Sequence, residues 1–194
     1  MKNDLRLIQD NNSYFLKKIL SKGEILKEDI YDGYLIDTNG DEKELRKIID
    51  LLRKKNKIIA IIGGDNLFNR RVLETMPINY LISPEKGLKF DNLKQKDSGI
   101  NHVLAKIAKQ KNISIVIDFC DLKKLDDFDL SIRIARISQN LRVCQKIGTS
   151  IKIATFAEHK KDFCSTKELQ EFMISIGAST KQAVDAVYFD FRKN

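Results

Sequence analysis

DSGINHVLAKIAKQKNISIVIDF, residues 97–119, holds a helix and a strand in immediate succession. Asp97 or Ser98 offers a side-chain oxygen to the free N–H groups of a helix start, and Gly99 falls in the first turn. Ile100, Val103, Leu104, Ile107 and Ala108 recur at i, i+3, i+4, i+7 and i+8, which makes one face apolar. The opposite face carries His102, Lys106 and Lys109, and Lys111 follows the helix. Residues 113–119 are then apolar at nearly every position, the pattern of a strand buried on both sides.

Working outward, residues 80–82 read as a strand, and Lys86, Lys89, Lys94 and Lys96 follow it in a basic loop that leads into the basic helix face. Before them, residues 33–37 (GYLID) and 58–62 (IIAII) read as strands. Residues 41–56 between them predict a helix whose Leu45, Ile48, Ile49 and Leu52 share one side. Asp65 or Asn66 opens a helix that must stop before Pro77. At the start of the chain, residues 5–8 suggest a strand. Asn12 or Ser13 then caps a segment carrying Phe15, Leu16, Ile19 and Leu20 that reads as an amphipathic helix ending at Gly23.

Downstream, Leu130, Ile134, Ile137, Leu141 and Cys144 mark a long helix over residues 129–146, and residues 150–155 a strand. Ser165 with Glu168 forms a capping box, and Ser179 with Gln182 starts the last helix. Six strands alternating with helices predict parallel βα units in a single domain over residues 1–194. Alternation alone leaves an open sheet and a closed barrel equally acceptable.

Length and composition permit a full core, with 194 residues of which 42% are apolar. The 35 Lys and Arg against 27 Asp and Glu give a net charge of +8, which suits a polyanionic partner; a lysine-rich proteome would produce the same excess. Cys120, Cys144 and Cys164 are too widely spaced for a metal knuckle and fit a reducing cytosol. No run reaches the roughly 18 apolar residues of a membrane span, so a soluble cytoplasmic protein is expected.

Functional loops of βα folds follow the C-terminal ends of strands. Asp37, Gly63-Gly64-Asp65, Ser83, Asp118, Glu158 and His159 are the polar residues there, a set compatible with a metal-dependent phosphoesterase or nuclease. His102 and His159 are the only histidines, however, and no His-x-His follows the first strand. Gly63-Gly64-Asp65 lacks the spacing of a phosphate-binding loop and reads as a plain strand-to-helix turn. No nucleophile can be assembled, so neither catalytic nor metal-ligating residues are assigned. The basic residues remain: the loop lysines, His102, Lys106, Lys109, Lys111, and Lys160-Lys161. On the long helix, Ile132 and Val143 beside Arg136 form a second strip that is either packing or a partner surface.

Residues 97–119, with their Gly-Ile-Asn-His, resemble the signature of ribonuclease P protein component 3, and residues 133–148 and 151–157 resemble that family's arginine-bearing helix and following strand. The resemblance implies a TIM-barrel-like α/β fold related to the polymerase and histidinol phosphatase barrels. It further implies a subunit of the ribonucleoprotein that removes the 5′ leader of precursor tRNA. In that assembly the catalytic RNA and its magnesium ions carry the chemistry. The protein, without an active site or cofactor of its own, supports the RNA together with protein component 2 and further subunits. The basic residues named above are then expected to contact RNA, His102 directly. The chain departs from the family at Thr155-Phe156-Ala157 and at Cys164-Ser165-Thr166, where an arginine is expected; Lys160 or Lys161 could substitute for it.

Overall fold

The computed structural model describes residue 2 and residues 4–25, 30–87, 91 and 96–190. Seven strands hydrogen-bond in sequence order, each parallel to the next. They are β1 (Leu5–Arg6), β2 (Tyr14–Ile19), β3 (Gly33–Ile36), β4 (Ile58–Ile62), β5 (Tyr80–Ile82), β6 (Ser114–Asp118) and β7 (Ile151–Ala154). Around them run α1 (Glu42–Lys54), α2 (Asn66–Thr75), α3 (His102–Gln110), the single-turn α4 (Phe119–Leu122), α5 (Asp127–Ile147), α6 (Thr166–Ser175) and α7 (Thr180–Ala186). The sheet curls until its first strand meets the chain leaving its last. Leu7 N donates to Ala157 O at 3.0 Å and Phe156 N to Leu5 O at 2.9 Å. The result is the TIM-barrel-like α/β architecture.

Both faces of the strands are apolar because both are covered. In β4, Ile58 and Ala60 point into the barrel while Ile59 and Ile61 point to the helices, and β6 divides Val116 from Ile115 in the same way. Gly33 in β3 is a matter of space: a Cβ there would lie 2.3 Å from the Ile58 Cβ on β4. Phe189, fully buried, packs edge-on against Tyr80, and its N–H reaches Lys2 O at 2.9 Å, joining the two ends of the described chain at the barrel floor.

The helix expected over residues 13–23 is a strand instead. Phe15, Leu16, Ile19 and Leu20 satisfy a helical period, but Leu16 faces the barrel interior and Ile19 the helix layer, which is the alternation of β2. Pairing decides the matter, because β2 bridges β1 and β3 and the ring cannot close without it. The second difference lies at α3, which starts later than the sequence suggests. Asn101, not Asp97 or Ser98, is the cap, accepting from Leu104 N at 3.0 Å. Gly99 stands outside the helix at φ +76°, a left-handed conformation that glycine adopts without strain. Asp65 caps α2 and capping boxes stand at Ser165 and Ser179 as expected, while Asp41, read as the start of a helix, is the cap of α1.

At the barrel seam sits Asp4, 2% exposed. Its carboxylate accepts from Thr155 N at 2.7 Å, Thr155 Oγ1 at 2.6 Å, Leu5 N at 2.8 Å and Arg6 Nε at 2.8 Å. Burial pushes its pKa up while the Thr155 and Arg6 hydrogen bonds oppose the rise. Asp4→Ala strands these donors inside the protein and is expected to cost about 3–5 kcal/mol in urea unfolding, against about 1–3 kcal/mol for Thr155→Val. Equal, small losses would show that the seam does not depend on Asp4.

Candidate nucleic-acid interface

The loops that follow the C-terminal strand ends gather on one rim, and residues 83–101 between β5 and α3 are the longest of them. Their first part lies flat on the β4–α2 turn. A Cβ on Gly63 would come 2.6 Å from Pro84 Cα, and one on Gly87 2.3 Å from the Gly64 carbonyl carbon. Fully buried Asn69 ties the two backbones together, donating to Pro84 O at 2.8 Å and Gly64 O at 3.0 Å while accepting from Gly64 N at 2.9 Å. Gly63-Gly64-Asp65 is therefore a close-packed turn whose aspartate caps α2, accepting from Phe68 N at 2.8 Å.

Residues 85, 91, 96 and 98 are held by one face of α5. Arg133 Nη2 lies 3.2 Å from both Glu85 Oε1 and Asp121 Oδ2, and Lys86 Nζ reaches the other Asp121 oxygen at 2.6 Å. One turn on, Arg136 Nε donates to Asp91 Oδ1 at 2.9 Å. Gln139 Nε2 donates to Lys96 O at 2.8 Å and Ser98 Oγ at 3.0 Å, and Asn140 Nδ2 to Ser98 O at 2.8 Å. Both arginines are nearly covered, at 8% and 5% exposure. Burial pushes the Glu85 carboxyl up against the pull of Arg133. At Asp121, by contrast, burial is outweighed by Lys86 and Arg133, so its pKa lies below the ordinary carboxylate value.

Of the predicted strip on this helix, Val143 is buried in the core with α3, Arg136 lies buried beneath the loop, and Ile132 is half-buried. Of the two roles left open for that strip, Val143 and Arg136 are packing. Gln139, Asn140 and Asn69 were not singled out from sequence as loop anchors. The available signal was the spacing of Arg133, Arg136 and Asn140 at i, i+3 and i+7, beside the apolar stripe.

The candidate RNA contacts divide between the two ends of the barrel. Lys86 and Lys96 are exposed on the loop, Lys96 lying 3.7 Å from Asp91 Oδ2. Lys89 and Lys94 lie outside the described residues. His102 is exposed at the first position of α3 on the same rim, with Lys106 one turn below. Lys160 and Lys161 are exposed in a 3₁₀ turn after β7, also at this rim. Lys109 and Lys111 are not brought to it. Lys109 Nζ donates to Ile147 O at 2.8 Å and Lys111 Nζ to Glu74 O at 2.5 Å, so each satisfies a free carbonyl at a helix C-terminus on the opposite end.

Three of the strand-end carboxylates have local structural tasks, while Glu158 is exposed. Asp65 and Asp118 cap helices, and Asp37 accepts from Asn39 N at 3.4 Å. Among the described residues, no three His, Cys, Asp or Glu side chains gather where they could hold a metal ion. Nor is any described helix long and apolar enough to cross a membrane.

The fold and rim define a TIM-type α/β barrel that presents a pinned basic loop. No family model matches the chain. In sequence it is similar to ribonuclease P protein component 3 of Methanococcus maripaludis, 27% identical over 172 residues that make up 87% of this chain and 71% of the relative. It is also similar to the component 3 of Methanocaldococcus jannaschii, 30% identical over 157 residues, 81% of this chain and 64% of the relative. In structure it matches a chain of an archaeal ribonuclease P solved by cryo-electron microscopy with mature tRNA. The TM-score is 0.71 at 26% identity, covering 89% of this chain and 76% of that one. The curated relatives that the chain resembles over most of its length are thus named ribonuclease P protein component 3.

Asp118 supplies a pH-dependent test of its structural role. Burial pushes its pKa from the ordinary 3.8 to about 6. Between those values the folded state binds more protons than the unfolded chain, so this group's contribution to stability falls as pH rises from about 4 to about 6. The full rise corresponds to about 3 kcal/mol. Asn keeps the capping oxygen, so Asp118→Asn is expected to stabilise the protein by about 1–3 kcal/mol at pH 7.5 and by little at pH 4. Denaturant titrations at the two pH values check this, and an equal effect at both excludes it.

Proposed function

We propose that this chain is a protein subunit of a ribonuclease P ribonucleoprotein that removes the 5′ leader of precursor tRNA in the cytoplasm. It binds and supports the catalytic RNA beside protein component 2 and further subunits. The observation that carries this reading is the match, over 89% of the chain, to a subunit of an archaeal ribonuclease P with tRNA. The chain itself holds no active site and no cofactor; the magnesium ions belong to the RNA. Lys86, Lys96, His102, Lys106, Lys160 and Lys161 at or near the rim supply the phosphate contacts, with Lys89 and Lys94 in the same loop. The competing reading, a metal-dependent phosphoesterase or nuclease on this barrel, draws on the strand-end acids, of which Asp65 and Asp118 are engaged as helix caps and Asp37 in a turn.

Reconstitution with the cognate catalytic RNA and component 2 tests the proposal. Precursor tRNA cleavage at limiting magnesium is expected to rise when this chain is added, and no stimulation overturns the reading. Stoichiometric zinc, manganese or iron on the purified chain favours the enzyme instead. RNA affinity should also fall with salt, by roughly 0.7 to 0.9 in log–log slope per phosphate contact. Lys160→Ala with Lys161→Ala is expected to flatten that slope by one to two contacts; an unchanged slope removes the pair from the interface.

A further inference from the structure

We infer that Arg136, with Gln139 beside it, is a positioning residue for the basic loop. It raises RNA affinity by holding the loop and does not itself touch RNA. This rests on the reading of the chain as an RNA-binding subunit. Two observations and one energetic argument carry it. Arg136 is 5% exposed and its Nε is committed to Asp91 at 2.9 Å, so its guanidinium lies below the surface a phosphate can reach. Consecutive turns of α5 grip residues 85, 91, 96 and 98, which places anchors at the start, the middle and the end of the loop. Burying guanidinium groups is also a poor route to stability, because removing a charge from water costs several kcal/mol and apolar side chains would fill the same space as well.

What the two covered arginines provide is a fixed place for Glu85 and Asp91, next to Lys86 and Lys96. A loose loop must be ordered when RNA binds, at about 0.5–1.5 kcal/mol for each side chain immobilised, whereas a held loop has met that cost on folding. Direct contact and positioning leave different signatures in salt. Removing a cation that touches phosphate lowers the slope by one contact, while loosening a loop weakens binding at every salt concentration and leaves the slope alone.

The test is binding of the full chain to ribonuclease P RNA over a potassium chloride series, with thermal midpoints recorded alongside. Arg136→Met is expected to weaken binding about ten-fold with the wild-type slope. Gln139→Ala, which removes hydrogen bonds from a half-buried side chain, should weaken it several-fold, again at constant slope and with its melting point retained. If Arg136→Met does not fold, Gln139→Ala alone decides. Wild-type affinity in the folded variants overturns the inference, as does a slope lowered by 0.7 to 0.9 in Arg136→Met. Lys86→Ala with Lys96→Ala separates the two levels of the argument. If that pair leaves the slope unchanged, the loop is not an RNA contact and the underlying reading of the rim fails. If it flattens the slope while the α5 variants bind like wild type, only the positioning inference fails.

Discussion

Ring closure is the constraint on which the molecule depends. A parallel sheet with helices on its outside needs its edges paired, and here the edge of β1 is paired with the chain leaving β7. Asp4 brings four donors from both sides of that joint onto one carboxylate. Parallel pairing puts every loop after a strand at one end of the sheet, and closure bends that end into a rim, which Lys86 and His102, distant in sequence, share with Lys160 and Lys161.

Most of the architecture was legible in the sequence because parallel strands buried on both faces write themselves as short unbroken apolar runs. Residues 58–62 and 113–119 admit little else. β2 was not legible: Lys17 and Lys18 interrupt its apolar positions, and Phe15, Leu16, Ile19 and Leu20 fit a helical turn as well as they fit alternation. The choice between the two is made by partners, through a register in which Leu16 meets Gly33 and Ile19 meets Ile36, and no local pattern contains that information.

The site was legible as composition and only partly as geometry. Lysine positions showed where positive charge is plentiful, but a lysine bound to a backbone carbonyl reads the same in sequence as one facing solvent. Lys109 and Lys111 turned out to be of the first kind. The arginines of α5 were harder still, because a periodicity argument assigns a charged residue to the solvent side by default. Arg133 and Arg136 are covered by a loop whose return path sequence does not disclose. The acids that receive them come from two places, Glu85 and Asp91 from the segment after β5 and Asp121 from α4.

The joint at Asp4 also bears on how the protein is made. Asp4 and Thr155 are separated by 151 positions, so the edge of β1 must wait, unpaired, while nearly the whole barrel is synthesised. At roughly 5–20 residues per second that wait lasts on the order of ten seconds or more. During it the nascent chain is an open parallel sheet with a free strand edge, the form most prone to pair with another molecule. β1 is only two residues long, Leu5–Arg6, which keeps the exposed template short until its own partner emerges.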